Sequence, residues 1–246
     1  MISIVSANKG FDGAPVLEKL SFDVNLKSIC AVVGPSACGK STILNLICGL
    51  DQLDSGDISV PVGNSIGYMM QEPMLLPWRT LEENATLGVE VKDTVGSSEV
   101  DVEEYFKNVG LAPDRMKYPS TASGGMKQRV ALVRTLLLKP DILLLDEPFS
   151  SLDFDIKLKV QKFLLKQQTE LGSTILWVTH DIEDAIAISD RVVILSDKPS
   201  KVKSIIDIDL HANKRSPVEA RKSLKFRDYF SEVCEQLKYL DNGDDN

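Results

Sequence analysis

A glycine-rich segment from Gly34 to Ser41 fits the pattern G-x-x-x-x-G-K-[ST]. It follows the apolar run Ile29 to Val33 and precedes the periodic apolar run Ile43 to Cys48, which predicts a strand, a loop and a helix in that order. Glycines let backbone N–H groups surround a phosphate chain, and the helix start directs its positive end at the same place. Lys40 is suited to neutralise β- and γ-phosphate oxygens, and Ser41 to offer a hydroxyl to Mg²⁺. The segment therefore predicts a nucleoside triphosphate site.

Two adjacent carboxylates, Asp146 and Glu147, end a second apolar run. The run Ile142 to Leu145 is typical of a buried strand, and acids that merely cap such a strand explain the pair equally well when it is taken alone. Beside a phosphate loop, Asp146 is suited to hold Mg²⁺ through water. Glu147 is then suited to accept a proton from the water that attacks the γ-phosphate.

A second glycine-led helix start is predicted at Ser123, Gly124 and Gly125, just before a helix that runs to Leu138. Free N–H groups and small residues at a helix start make an anion site. Taken alone, however, this segment is better explained as a glycine turn that starts a helix.

The elements that position these residues alternate between strand-like runs and helix-length segments, which indicates an α/β sheet. The strand-like runs are Ile29 to Val33, Ile66 to Met70, Ile142 to Leu145, Thr174 to Val178 and Val192 to Leu195. Between Leu76 and Pro140 the strand signal disappears, so we expect a helical subdomain inserted in the sheet. One helix face there carries Met126, Val130, Val133 and Leu137.

The C-terminal part from Ser216 to Leu240 is predicted to be one helix. Ser216-Pro217-Val218-Glu219 offers an N-cap, a proline in the first turn and a capping-box glutamate. An apolar stripe follows at helical spacing, formed by Phe226, Phe230, Val233, Leu237 and Leu240. We expect this stripe to dock on the chain's own core rather than on a partner. Residues 241–246 are polar or glycine and are expected to fray.

Composition restricts the classes of partner. The net charge of −8 argues against nucleic acid as a ligand, because phosphate-backbone binding needs clustered Lys and Arg. No apolar run approaches the length of a membrane helix, and the first residues lack the features of a signal peptide, so we expect any membrane role to come through a partner. The four cysteines lack zinc-like spacing and are expected to be free thiols in a reducing compartment.

The motifs occur in a fixed order: the phosphate loop, Gln71 after a strand, Ser123-Gly124-Gly125, Asp146-Glu147, Ser151-Leu152-Asp153, and His180 after a strand. In this order, and over nearly all of the chain, they resemble the ATP-binding-cassette (ABC) ATPases. The resemblance implies an α/β P-loop NTPase with a RecA-like core, an antiparallel β-subdomain and an inserted α-helical subdomain. We expect an ATPase domain over residues 1–215, with the insert at about 76–140 and a C-terminal helix and tail over 216–246.

The resemblance also implies a role for each site residue. Gln71 would contact Mg²⁺ or the attacking water and connect the site to a membrane partner. His180 would touch the γ-phosphate and orient the water with Glu147, and Phe11 would stack on adenine. Two copies would sandwich two ATP molecules, each bound in trans by Ser123, Gly124, Gly125 and Asp153 of the other copy. The residues expected to bind ATP within one chain are Phe11, Gly34, Pro35, Ser36, Ala37, Cys38, Gly39, Lys40, Ser41 and Thr42, and those expected to hold Mg²⁺ are Ser41, Gln71 and Asp146.

Two residues depart from the family's pattern. Ala122 replaces the leucine that usually opens the signature, and we expect it to alter packing in the helical insert rather than phosphate contact. Ala37 replaces a frequent glycine in the phosphate loop. If its φ is positive, the conformation costs about 1 kcal/mol.

The branch of the family is indicated by Gln71-Glu72-Pro73, by Leu75 to Thr80 and by Leu195 to Leu210, which resemble importers of nitrate, sulfonate and taurine. This implies an ATPase at the cytoplasmic face of the membrane that powers uptake of a small anion through separate permease subunits and, indirectly, a solute-binding protein. Trp78 is equally well explained as core packing or as a permease-facing residue. The alternatives are an importer of another solute such as a thiamine precursor, a soluble ABC ATPase, or a regulatory module without hydrolysis.

Overall fold

The computed structural model describes residues 1–92, 101–210 and 216–238. Its strands are β1 (Ile2–Phe11), β2 (Ala14–Val24), β3 (Ile29–Val33), β4 (Ser55–Ser59), β5 (Ile66–Met69), β6 (Ile142–Asp146), β7 (Thr174–Thr179), β8 (Arg191–Leu195) and β9 (Val202–Asp207). Its helices are α1 (Lys40–Cys48), α2 (Leu81–Lys92), α3 (Val102–Asn108), α4 (Gly124–Leu137), α5 (Phe154–Leu171), α6 (Ile182–Ile188), α7 (Pro217–Lys222) and α8 (Leu224–Lys238). The chain divides into two compact units: Met1–Asn64 with the residues from Thr174 onward, and Ser65–Ser173.

The first unit contains two groups of strands. One is an antiparallel sheet in the order β2-β1-β4, in which Ile4 lies opposite Phe22 on one side and Ile58 on the other. In the other group β3 pairs in parallel with β7 and β8, and β9 joins β8 antiparallel. Every residue of β3 and β7 is buried. Continuous apolar runs are expected for parallel strands covered on both faces, so the apolar runs in the sequence indicated these strands correctly.

The strands of the antiparallel sheet were not predicted from their residues, and only the family resemblance implied a β-subdomain. Their alternation is interrupted, because the register of β1 with β2 shifts between Ile4 and Ala7 and again after Ala7. Ser6 and Lys19 have positive φ angles of 48°. Such bulges break the two-residue period on which recognition of a half-buried strand depends.

The second unit contains the parallel pair β5 and β6 with helices α2 to α5. Helix α2 packs against α4, and α3 packs against α4 and α5. On the predicted apolar face of α4, Val130, Val133 and Leu137 are buried. Helix α4 ends at Leu137, before Pro140, and α2, α3 and α4 all lie within residues 76–140.

The C-terminal part forms two helices, so the prediction of one continuous helix was wrong. Helix α7 begins after Ser216, whose hydroxyl accepts a hydrogen bond from the Glu219 N–H at 3.4 Å, as the capping pattern predicts. Ser223 then takes an extended conformation, with ψ at 139°, and separates α7 from α8. Serine competes with the helix through local hydrogen bonds and is favoured at helix boundaries. Leu240 and the tail 241–246 lie outside the described residues.

A buried ion pair fixes α7 to α6. Arg221 Nη2 lies 2.5 Å from Asp184 Oδ1, and the Asp184 side chain is only 2% exposed. Arg221 Nη1 also donates to the Pro217 carbonyl at 2.9 Å. Helix α8 packs on the same helix α6 and buries Phe226 and Val233. The expected docking of this segment on the chain's own core is therefore observed.

We predict that Arg221→Met lowers the free energy of unfolding by about 3 kcal/mol, because Asp184 loses its guanidinium partner at a buried position. Lys225→Met is the matched control. Lys225 pairs with Asp209 at the exposed surface, so its loss should leave the free energy of unfolding nearly unchanged. Urea denaturation followed by circular dichroism measures both, and equal effects of the two substitutions would contradict a stabilising role for the buried pair.

Candidate functional site

The phosphate loop joins β3 to α1, as its sequence predicts. Gly39 precedes the first residue of α1 with φ at 101°, and a Cβ there would lie 2.7 Å from Val16 Cγ1. Glycine is therefore required at this position by both conformation and space. Gly34 and Cys38 are buried, whereas Ser36 and Ala37 are exposed at the tip of the loop.

Ala37 has a φ of 61°, in the left-handed region. Alanine in place of the family's frequent glycine therefore has the positive φ that costs about 1 kcal/mol. A loop that keeps such a conformation is held by its surroundings, and strained residues of this kind cluster where ligands bind.

The Lys40 ammonium lies along the loop. Its Nζ donates to the Gly34 carbonyl at 2.9 Å and to the Pro35 carbonyl at 2.8 Å. Ser41 and Thr42 follow in the first turn of α1 and are half-buried. The positive charge and the free N–H groups of the helix start thus occur together, which is the arrangement that attracts a phosphate group.

The loop is braced by Ser200, a residue that sequence reasoning did not identify as functional. The fully buried Ser200 hydroxyl donates to the Cys38 carbonyl inside the loop. Its backbone N–H donates to the Val16 carbonyl at 2.8 Å, and its carbonyl accepts from the Glu18 N–H at 3.0 Å. A contact between residues so distant in sequence leaves no local pattern by which it could have been found.

The Cys38 thiol is a neutral part of the loop. Burial raises the pKa of Cys38 above its usual value, although the Lys40 charge acts in the opposite direction. The thiol form is therefore favoured at neutral pH, so no negative charge from Cys38 opposes an incoming phosphate.

Phe11 and His180 are the other site residues of the first unit. Phe11 is 43% exposed at the end of β1, and the Lys9 ammonium lies 4.8 Å from the centroid of its ring. His180 is exposed and follows β7 directly. Val33, the last residue of β3, pairs with Thr179, so the phosphate loop and His180 leave neighbouring parallel strands at the same edge.

The two carboxylates of the second unit lie at the end of β6. Asp146 is 3% exposed and Glu147 is 8% exposed, with φ at 49° for Glu147. Met69 pairs with Leu145, so Gln71 and the carboxylates follow neighbouring parallel strands at one edge. Gln71 itself is exposed.

Gln128 holds the turn that follows Glu147, and sequence reasoning missed this role too. Gln128 Nε2 donates to the Glu147 carbonyl at 2.5 Å. Its Oε1 accepts from the Ser151 N–H at 3.1 Å. One amide on α4 therefore binds both ends of the segment between Glu147 and Ser151.

The signature segment forms the start of α4. Ser123 is the N-cap, and its hydroxyl accepts from the Met126 N–H at 3.3 Å. Gly124 is exposed, and a Cβ added there would meet none of the described residues within 4 Å, whereas a Cβ on Gly125 would lie 2.6 Å from the Ser151 carbonyl oxygen. Gly125 is thus needed for close approach of the chain near Asp153, which is exposed and occupies the N-cap position of α5.

The phosphate loop and His180 follow neighbouring strands in the first unit, and Gln71 and the carboxylates follow neighbouring strands in the second. The Ser123 start of α4 and Asp153 also belong to the second unit. A family model described as "ABC transporter" matches residues 17–150.

The chain belongs to the ABC transporter family. A relative, the aliphatic sulfonates import ATP-binding protein SsuB of Bacillus cereus, is 38% identical over 91% of this chain and 89% of its own length. The ABC transporter ATP-binding protein YtlC of Bacillus subtilis is 36% identical over 90% of this chain and 88% of its own length.

A solved structure of the ATP-binding cassette MJ0796, dimeric and bound to ADP and Pi, matches with a TM-score of 0.77 and 27% identity. The match covers 85% of this chain and 99% of the MJ0796 chain. The predicted fold class, an α/β P-loop NTPase, is confirmed. This ABC chain binds and hydrolyses ATP. None of the helices in its described ranges has the length and apolar character of a membrane span.

We predict that Ser200→Ala lowers ATP affinity about fivefold, or about 1 kcal/mol, because the buried Cys38 carbonyl loses its hydroxyl donor and the loop loosens. Ser204→Ala is the matched control. The Ser204 hydroxyl on β9 is buried without a hydrogen-bond partner among the described residues, so its removal should leave affinity unchanged. Titration calorimetry measures the ATP affinity of both variants. Wild-type affinity in the Ser200→Ala variant would contradict the role of Ser200 in supporting the loop.

Proposed function

We propose that this chain is the ATP-hydrolysing subunit of an ABC importer for a small organic or inorganic anion such as a sulfonate, taurine or nitrate. The observation that carries the proposal is the phosphate loop, in which Lys40 and the start of α1 converge. The direction and class of solute are supported by relatives such as the SsuB proteins, whose names state import of aliphatic sulfonates. The segment Leu75 to Thr80 resembles the same branch.

In the proposed site, Phe11 stacks on adenine and the loop N–H groups bind the β- and γ-phosphates. Lys40 neutralises charge on these phosphates. Ser41, Gln71 and Asp146 would hold Mg²⁺, and their oxygen atoms are the hard donors that this ion prefers. When bound, Mg²⁺ supplies positive charge that neutralises the phosphates.

Glu147 acts as the general base in this proposal. A water oxygen attacks the γ-phosphorus, the bond from that phosphorus to the ADP oxygen breaks, and the water proton passes to the Glu147 carboxylate. His180 orients the water and contacts the γ-phosphate. The bonds from Gln128 and Ser150 to the Glu147 carbonyl hold the backbone from which the base projects.

Two copies of the chain form the working unit. Each ATP would be bound by the loop of one copy and by Ser123, Gly124, Gly125 and Asp153 of the other. The start of α4 is exposed and so accessible to such a ligand, and the related cassette MJ0796 has been solved as a dimer. The Ser123 hydroxyl occupies the Met126 N–H, so the N–H groups of Gly124 and Gly125 are the ones proposed to bind phosphate.

The dimer would work at the cytoplasmic face of the membrane with separate permease subunits, and indirectly with a solute-binding protein. Gln71 and the neighbouring exposed Trp78 are the residues proposed to face the permease. Nucleic acid is not a proposed ligand, because the chain carries a net charge of −8.

We predict that Glu147→Gln retains ATP but stops hydrolysis, because the amide cannot accept the water proton. Gel filtration with ATP and Mg²⁺ should then show a dimer. Adding Ser123→Tyr should abolish this dimer without weakening ATP binding by one chain, whereas Ser123→Thr, which keeps the capping hydroxyl, should preserve it. Full hydrolysis by the Glu147 variant would remove this residue as the base.

We further predict that the tagged chain, purified from detergent extracts of its own cells, brings a hydrophobic permease with it. Mass spectrometry identifies the captured proteins. A Trp78→Ala, Met74→Ala variant should capture less permease, whereas Leu224→Ala, a change at an exposed apolar residue of the first unit, should capture as much as wild type. Recovery of nucleic acid in place of a membrane protein would overturn the importer assignment.

A further inference from the structure

The segment 71–80, hereafter the Gln71 segment, is anchored to α4 by one arginine. Arg134 Nη1 donates to the Met74 carbonyl at 3.0 Å, and Nη2 donates to the Pro73 carbonyl at 2.7 Å. Because a guanidinium is planar and its donors are fixed relative to one another, two such bonds set both the position and the orientation of the backbone they hold. A lysine at this position has a single ammonium and lacks that fork.

The other half of the same segment is held by Asn84 of α2. This fully buried amide donates to the carbonyls of Leu76, Arg79 and Thr80 at distances of 3.1, 3.1 and 2.8 Å, and its Oδ1 accepts from the Leu76 N–H at 2.7 Å. Helix α2 packs on α4. The Gln71 segment is thus fastened at both halves to the same pair of packed helices.

The same helix α4 holds the catalytic turn at its other end. Gln128 binds the Glu147 carbonyl and the Ser151 N–H, and Ser123 begins the helix. Gln128 and Arg134 lie about 9 Å apart along the axis at 1.5 Å per residue. A hydrogen-bonded helix is a rigid element of the kind that can carry coupling, and α4 binds both held segments.

We propose that Arg134 is the positioning residue that couples the Gln71 segment to the Glu147 turn through α4. The inference rests on the proposed function, in which Gln71 and Trp78 serve the permease and Glu147 serves hydrolysis. A movement of the Gln71 segment shifts the carbonyls of Pro73 and Met74. Because the Arg134 guanidinium is bonded to both carbonyls, α4 moves with them. Gln128 then moves the Glu147 backbone to which it is bonded. ATP-dependent movement at the signature start of α4 travels in the opposite direction.

Met74 has a φ of 45°, so its carbonyl is turned out of any regular strand or helix pattern toward the arginine. Burial lowers the pKa of the Arg134 guanidinium below its ordinary value. The half-buried Arg134 cation, bonded to two backbone carbonyls, therefore holds the Gln71 segment in place.

The chain contains a natural reporter for the experiment. Trp78 lies in the Gln71 segment and is 71% exposed, whereas Trp177, the second tryptophan, is 1% exposed. Iodide quenches exposed indole rings, so the quenching constant reports on Trp78, and a Trp78→Phe variant supplies the background. The measurement uses the full chain carrying Glu147→Gln, with Mg²⁺-ATP compared with Mg²⁺-ADP.

We expect Mg²⁺-ATP to change the quenching constant of Trp78 in the Glu147→Gln protein. Adding Arg134→Met should reduce that change about twofold or more, with ATP affinity altered less than about twofold. Arg115→Met is the matched control, because Arg115 pairs with Glu82 and Glu103 at the surface of the same unit, and it should retain the full change. Arg134→Lys keeps the charge without the fork and should give an intermediate result.

A full ATP response in the Arg134→Met protein overturns the inference, as does an ATP-bound parent protein in which Trp78 does not respond. Where Arg134→Met fails to fold, a full response in Arg134→Lys overturns it equally. Failure of the proposed function has a different signature, since the tagged chain would then capture no permease, whereas the ATP response of Trp78 could still be measured in the Glu147→Gln protein. In the chain with Glu147 intact, Arg134→Met should lower kcat for ATP more than it raises KM.

Discussion

Binding of a highly charged triphosphate by unpaired backbone N–H groups is the interaction on which this molecule depends. Such groups are available where a helix starts, and glycine lets a ligand approach them. Helix α1 starts after Gly39, and α4 starts at Gly124 after its serine cap. Each compact unit therefore supplies one helix N-terminus whose backbone N–H groups can bind phosphate. In the proposed dimer the two starts act on the same nucleotide from different chains, so ATP itself joins the copies.

The fold could be predicted from sequence where burial on both faces produces continuous apolar runs. Strand β3 was predicted with its observed limits, and β6, β7 and β8 extend one residue beyond theirs. The antiparallel sheet was hidden because positive φ at Ser6 and shifts of register interrupt its alternation. The break at Ser223 was also missed, because residues 218–225 contain no proline or glycine to mark a boundary between the Ser216 cap and the stripe that begins at Phe226.

The candidate site likewise contains residues that the sequence indicates and residues that only the structure shows. The residues proposed to face the ligand lie in short motifs, so residue type and spacing indicated the loop around Lys40, the acids at the end of β6 and the start of α4. The residues that hold those motifs in place are scattered along the chain. Ser200 supports the loop, Gln128 holds the Glu147 turn, and Arg134 holds the Gln71 segment. A side chain that binds a distant carbonyl follows no local period, and only the folded structure shows the pair.

The most direct test of the central claim is a crystal structure of the chain with Mg²⁺ and a non-hydrolysable ATP analogue. We predict that Lys40 of one protomer and the Ser123–Gly125 helix start of its partner contact the same γ-phosphate. A structure in which the nucleotide is bound by the loop while both signature starts face away from it would contradict the account.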